Sequence, residues 1–277
     1  MDDIKAAPPQ AMDGTDAGAS GRAGRDWLAR LASQHAAGRQ RRVWTRRAAT
    51  WDHHGSAGLG RVTAAVLDAA AAGAGDRVVD LGCGTGQVTL PLAERRAEVL
   101  AVDVSPAMIS RLLARAYQAG LDRVSGLSMP VENLCLPPGT VDLVVSSYAL
   151  HHLRDADKAR VVGSAYQWLR PGGRLVIADM MFGRGGSRRD REIIARKVSL
   201  LARRGPAGWW RIAKNAARYL LRVQERPVTM EAWTGMLTSA GFADVTAVPL
   251  VAEAGLVTGT RPAQPGPAQP GPAQAFR

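Results

Sequence analysis

The residues whose types and spacing most plainly suggest chemistry are Asp80, Gly82, Gly84, Gly86 and Asp103. A short apolar run from Arg77 to Leu81 reads as a buried strand, and three alternating glycines follow it. Without Cβ atoms in the way, a ligand can lie directly against that backbone. Further on, Val-Leu-Ala-Val-Asp ends a second apolar run in Asp103, a carboxylate placed to accept hydrogen bonds from two ribose hydroxyls. The two signals together point to an adenosine cofactor. The spacing argues against a pyrophosphate. Position 87 is Gln, where the Gly-x-Gly-x-x-Gly pattern needs its third glycine, and no Gly-Lys-Ser/Thr occurs. Asp80, just before the loop, suits a cationic amino group better than a phosphate.

These groups need strands and helices to hold them, and the chain alternates the two. A helix bearing Val62, Val66 and Leu67 is expected to end at Gly73-x-Gly75. Strands are expected near 77–82, 98–103, 124–129, 141–147, 174–180, 244–251 and 255–260. Helices are expected at 26–51, 87–95, from Pro106 to near Gly120, from Asp155 to Leu169, and at 229–239, closed by Gly241. The run 141–147 is almost continuously apolar, as a central parallel strand would be. The alternation predicts an α/β fold, a doubly wound, mostly parallel sheet.

The chain resembles the class I S-adenosylmethionine (SAM) dependent methyltransferases of the broad small-molecule group, over roughly 48–261. Four motifs in order carry the resemblance: Val79-Asp80-Leu81-Gly82-Cys83-Gly84-Thr85-Gly86; Val102-Asp103-Val104-Ser105-Pro106-Ala107-Met108; the stretch from Val141 to Leu153; and Trp168-Leu169-Arg170-Pro171-Gly172-Gly173-Arg174-Leu175-Val176-Ile177. It implies a seven-stranded Rossmann-like sheet whose last strand pair is a hairpin with one antiparallel strand. It also implies that Asp80 and the backbone of Gly82, Gly84 and Gly86 hold the methionine part of SAM. Asp103 would hold the ribose, Met108 would pack near the adenine, and Gln87 and Ser146 would belong to the same cofactor set. One departure stands out. Family members often carry Asp-Ala before the Glu-Asn-Leu of 132–134, and that Asp reads the adenine amino group. Here the positions are Pro130 and Val131. Adenine would then be read by the Val131 N–H, by the Glu132 side chain, or mostly by shape, and Glu132 equally suits a solvated loop.

If the acceptor is a hydroxyl, a general base helps transfer. His151 and His152 follow the fourth strand, at the carboxyl ends where ligands bind. His53 and His54 lie in an N-terminal segment that in relatives can fold over the cofactor, and His54 joins the catalytic candidates. The competing reading of each is a ring that hydrogen-bonds a neighbouring loop. Tyr148 suits either the face of a sulfonium or the core.

The formal net charge is +12, and its distribution is uneven. Arginines crowd 22–47 and 184–226, while the motif-bearing stretch 48–183 is near neutral. Residues 1–25 and 262–277, the latter repeating Pro-Ala-Gln-Pro-Gly, read as disordered tails flanking a domain over 26–261. Within that domain, 184–226 reads as a helical cap insertion. Ile193, Ile194, Val198 and Leu201 recur at helical spacing, and after Gly205-Pro206 a Trp209, Ala213, Ala216, Leu220 stripe runs beside basic residues. Such a segment suits a packed helical pair, a cap over an apolar substrate, or peripheral membrane contact.

The leading expectation is methyl transfer to a small apolar or aromatic acceptor, natural-product or quinone-like. Two alternatives remain: an RNA methyltransferase using the basic segments, and a non-catalytic SAM-binding protein. Nucleic acid is the weaker choice, because the place of an Asn/Asp-Pro-Pro-Tyr/Phe motif reads Ser146-Ser147-Tyr148-Ala149 and no Pro-Cys motif occurs. No metal is expected, since no carboxylates cluster with His at ligand spacing. Cys83 and Cys135 imply no disulfide framework, and with no signal peptide a cytoplasmic location is expected.

Overall fold

The computed structural model describes residues 34, 36–48, 57–183, 186–203, 205, 225–251 and 253–263. The chain divides into two units, Met1–Arg39 and Gln40–Arg277. The described residues of the first, 34 and 36–39, are helical. The expected tails, His53, His54 and the Trp209–Leu220 stripe lie outside the described residues.

In the second unit, 40–47 are helical (α1). Then come α2 (Ala57–Ala70), β1 (Arg77–Leu81), α3 (Thr89–Glu94), β2 (Glu98–Asp103), α4 (Pro106–Gln118), β3 (Val124–Ser128), β4 (Val141–Ser147), α5 (Asp155–Trp168), β5 (Leu169–Met180), α6 (Arg188–Ala202), α7 (Met230–Ala240), β6 (Ala243–Pro249) and β7 (Ala254–Thr260). The strands form one sheet of order β3-β2-β1-β4-β5-β7-β6. β1 to β5 run parallel, and β7 is antiparallel to both β5 and β6. The expected seven-stranded, mostly parallel sheet is therefore present. The order reverses between β1 and β4, which opens a crevice at their carboxyl ends.

The period-two alternation of strand side chains sorts the core onto two faces. Val79, Leu81 and Val144 pack with α5 and α7 side chains such as Val161, Trp168, Trp233 and Leu237. Val78, Leu143 and Val145 pack with Val62, Val66 and Leu92 of α2 and α3. Asp80 lies two residues from Val78 and so shares the α3 face. That register, set by apolar neighbours, aims its carboxylate at the start of α3.

Three expected boundaries move. α2 stops at Ala70, ahead of Gly73-x-Gly75. Ala71 already has a φ of 41°, and Arg174 donates to the carbonyls of Ala70 (2.6 Å) and Ala71 (3.3 Å), capping the helix end. α3 begins at Thr89 rather than 87, because Gly86 (φ 93°) keeps the chain in a turn through Val88. β5 begins at Leu169, which pairs with Val141. The next pair is Leu143 with Arg174, so Pro171-Gly172-Gly173 bulges out within the strand rather than preceding it. In α6, Ile193 is buried, Ile194 half-buried and Val198 exposed.

Candidate active site

The glycine loop turns on three positive φ angles: 77° at Gly82, 53° at Gly84 and 93° at Gly86. Such angles are costly for any residue with a Cβ. The loop begins by folding back onto β2, with the Gly82 and Cys83 N–H groups donating to the Val102 carbonyl at 2.7 and 3.1 Å. It is packed from two sides. A Cβ on Gly82 would lie 2.2 Å from that of Ala149, in the loop after β4, and one on Gly86 would lie 2.3 Å from Leu112 Cδ1 of α4. Arg115, one turn further along α4, donates to the Thr85 carbonyl at 2.8 Å.

Asp80 is buried, and the Thr89 hydroxyl donates to its Oδ2 at 2.6 Å. Burial pushes its pKa up to about 7. The Thr89 hydroxyl opposes that rise and the charge of Asp103 adds to it. None of these influences is a cation. Asp103, ending β2, accepts from the Gly84 N–H (3.0 Å) and the Ser105 N–H (2.8 Å), one on each oxygen. Burial again raises its pKa, against these two hydrogen bonds. Each carboxylate oxygen keeps a further lone pair for a hydroxyl donor. Two buried carboxylates whose raised pKa values reflect no nearby cation among the described residues, beside a glycine loop with Gly82 and Gly84 half-buried, fit a ribose attached to a cationic group. SAM meets that description.

The remaining cofactor candidates fall around this centre. Met108 is buried on α4, whose start is capped by Ser105. Gln87 is half-buried in the turn before α3. Ser146 is buried and donates to the Leu81 carbonyl at 2.7 Å, tying β4 to β1. Val131 and Glu132 form a single 3₁₀ turn, Val131–Asn133, headed by Pro130. The first N–H groups of such a turn have no partner within it. The Glu132 pKa is raised, first by burial, and the side chain also feels Asp157, Arg160 and Arg154 of the α5 start.

The two histidines of the 151–152 pair occupy different surroundings. Asp179, wholly buried at the end of β5, accepts the His151 N–H at Oδ2 (2.8 Å). It bonds the His151 ring Nδ1 at Oδ1 over 2.5 Å, and Met180 N–H donates to the same oxygen at 2.7 Å. Burial alone would raise the Asp179 pKa, but the facing His151 imidazole, these hydrogen bonds and His152 bring it below the usual carboxylate range. An ionised carboxylate only accepts, so Nδ1–H is the donor and Nε2 is left with the lone pair whenever the ring is neutral. His152 is half-buried. Its ring centre lies 4.0 Å from that of His151 and 5.4 Å from that of Trp44 on α1, edge to face. In the same helix, Thr45 Oγ1 is hydrogen-bonded to Ser105 Oγ at 3.1 Å. α1 thus touches both the ribose-side turn and the loop after β4.

Tyr148 has a φ of 51°, a left-handed conformation rare for a bulky residue. It is half-buried against Met180, Phe182 and Ile193, and burial pushes its hydroxyl up to about 12. The charges of Glu253 and Asp179 add to that rise, and the Tyr148 ring centre lies 6.5 Å from that of His151, edge to face.

Three side chains in this arrangement escaped the motif reading: Thr89, Arg115 and Asp179. The last had a visible signal. Leu175-Val176-Ile177-Ala178-Asp179 ends an apolar strand in a carboxylate, as Val-Leu-Ala-Val-Asp103 does. Thr89 and Arg115 have only positions relative to the turn, and no pattern marks them.

Comparison with known proteins agrees with the geometry. A family model described as a methyltransferase domain matches residues 78–173. An uncharacterized methyltransferase of Bacillus subtilis is 30% identical over 182 residues, covering 64% of this chain and 75% of the relative. A 27-O-demethylrifamycin SV methyltransferase of Amycolatopsis mediterranei is 34% identical over 110 residues, 39% of this chain and 40% of its own. Against two methyltransferases of Geobacillus, the match spans only 63% of the relative's length. Among solved structures, geranyl diphosphate methyltransferase in complex with GPP and sinefungin superposes with a TM-score of 0.54 at 18% identity, over 72% of this chain and 77% of that one. At that identity the likeness is one of fold.

Proposed function

The chain belongs to the class I SAM-dependent methyltransferases, and we propose that it transfers the SAM methyl group to a hydroxyl of a small apolar or aromatic molecule. The observation that carries the reading is the contact of Gly82 with Ala149. It sets the cofactor loop against the loop that presents His151 and His152, in one crevice. When bound, SAM supplies a methyl group already activated on a sulfonium, so the protein's work is to position the acceptor, exclude water and remove a proton.

In this reading Asp80 and the backbone of Gly82, Gly84 and Gly86 hold the methionine end, Asp103 the ribose, and Met108 lies near the adenine. Gln87, Ser146, Val131 and Glu132 complete the cofactor set. His151 is the general base. Its Nδ1–H is held by Asp179, so Nε2 would accept the acceptor hydroxyl's proton and later pass it to solvent, while bound SAM would supply the methyl group, its carbon–sulfur bond breaking and the neutral thioether leaving. A hydroxyl is the acceptor that most needs this help, since its oxygen is a weak nucleophile until the proton leaves, whereas a neutral amine attacks before losing a proton. His152 and His54 remain catalytic candidates, the first through its contact with Trp44.

The apolar cluster of Tyr148, Met180, Phe182 and Ile193, which adjoins His151 through Tyr148, supports a natural-product-like substrate. Its relative named for 27-O-demethylrifamycin SV and the fold neighbour bound to GPP support the same class. No helix among the described residues is long and apolar enough to cross a membrane. The proposal also places the protein in the cytoplasm, a reducing compartment that suits the free Cys83 and Cys135.

The test is titration calorimetry with SAM, followed by transfer of labelled methyl groups to a panel of phenols, quinols and the matching amines. Binding of SAM with labelling of hydroxyl compounds is the expected result. Failure to bind SAM at millimolar concentration would sink the reading.

A further inference from the structure

We infer that Lys158, a residue outside the cofactor site, is a positioning residue that ties the segment returning from the 184–226 insertion to the peptide of His151; the role in catalysis rests on the reading above. Lys158 is fully buried in the first turns of α5. Taking an ammonium out of water costs several kcal/mol unless its donors are well matched. Its Nζ donates to the Leu153 carbonyl at 2.8 Å, to Asp155 Oδ1 at 3.1 Å and to the Arg226 carbonyl at 2.7 Å. Two of these partners are local. The third comes from a segment 68 residues further along the chain.

Arg226 in turn donates its N–H to the His151 carbonyl at 2.7 Å. The N–H, the ring Nδ1 and the carbonyl of His151 are thereby held from two sides. Asp179 at the end of β5 takes the N–H and the ring, and Arg226 takes the carbonyl. The insertion leaves the sheet beside the point where it returns. A Cβ on Gly183 would lie 2.8 Å from Asp190 Oδ2 of α6 and 3.0 Å from Thr229 Cγ2, the residue that caps α7. Asp190, itself buried, accepts the Gly183 N–H at 2.7 Å. The returning segment is therefore held at 226 from two directions: its N–H bonds the His151 carbonyl directly, and its carbonyl is held by Lys158, which also bonds the Leu153 carbonyl of the same loop.

A local staple for the α5 start would need only Leu153 and Asp155. Spending the third donor of a buried ammonium on Arg226 joins the insertion's return to the residue proposed as base. A displacement of 225–228 moves the His151 carbonyl, and with it the ring held by Asp179. The acceptor side of the crevice can in this way set the position of Nε2.

The experiment compares wild type with K158M, whose side chain fills similar space without charge. It reads backbone hydrogen exchange, the downfield Nδ1 proton of His151 in NMR spectra of the protein alone, and SAM affinity by calorimetry. Exchange at 150–153 and at 225–228 is expected to rise together by about tenfold, as losing a charged hydrogen bond implies. The His151 proton resonance should shift or broaden, while SAM affinity stays within about twofold of wild type, since no bond to the glycine loop is lost. Should K158M fail to fold, R226P, which removes the N–H donated to His151 together with the arginine side chain, is compared with R226A, which removes the side chain alone; the exchange and NMR changes are expected in R226P beyond those in R226A. Loosening confined to 225–228, with the His151 signal unmoved, would overturn the inference. So would loosening that extends through 82–86 with loss of SAM binding, which marks a residue of the general fold. A wild-type protein that does not bind SAM would instead refute the methyltransferase reading, and the exchange data would still judge Lys158.

Discussion

Gly82 and Ala149 stand so close that no side chain fits between them: a Cβ on the glycine would lie 2.2 Å from that of the alanine. One residue opens the glycine loop and the other precedes His151 by two positions, so this contact fixes the spacing between the loop proposed to hold SAM and the residue proposed as base. G82A combines that overlap with a φ of 77° and is expected to cost about 2–4 kcal/mol. Thermal unfolding would measure the loss. G82A/A149G should recover the part due to overlap but not the part due to backbone conformation. Equal stability of the two variants would show that the contact is unimportant.

Asp80 should make SAM binding depend on pH. Folding raises its pKa from 3.8 to about 7. Between those values the folded state holds the proton more tightly than the unfolded chain, so stability falls as pH rises through the window, by about 4 kcal/mol in all. A bound cation needs the ionised form. SAM affinity is therefore expected to weaken by up to about tenfold per pH unit as pH drops below 7. D80N should bind SAM weakly, with a flat pH profile, and should unfold at a higher temperature than wild type at pH 8. Calorimetry at several pH values checks the first two expectations.

Replacing His151 tests the base and its partner together. H151Q is expected to lower turnover of a hydroxyl acceptor by about 10²–10⁴-fold, the usual worth of general-base catalysis. The loss should shrink at high pH, where the acceptor ionises by itself. SAM affinity should hardly change. The folded-state pKa of Asp179 is depressed, chiefly through His151, so its contribution to stability is present above the ordinary carboxylate pKa and lost as pH falls through the depressed value. H151Q should raise that pKa, which carbon-detected NMR of the carboxylate would show. An unchanged rate–pH profile would remove His151 from the chemistry.

Trp44 and Thr45 link α1 to both sides of the crevice, through His152 and Ser105. W44A/T45V removes two such contacts and is expected to speed SAM dissociation by about tenfold. Stopped-flow fluorescence of bound SAM displacement would detect it. An unaltered dissociation rate would mean that α1 does not restrain the cofactor.

Much of this molecule was legible in one dimension. The glycine loop, Asp80 and Asp103 could be found because a strand, a tight turn and a strand-end carboxylate each leave a local signature, and the seven strands and their helices followed from periodicity. The separate roles of His151 and His152 could not be read that way. Adjacent in sequence, they differ because strand order puts β5, and so Asp179, beside β4, 28 residues further along. The bond from Lys158 to Arg226 spans 68 residues and depends on where the insertion rejoins the sheet. Periodicity determines which face of an element is buried. Which buried groups meet is decided by the order in which strands pair and the register they adopt, and those are properties of the assembled sheet.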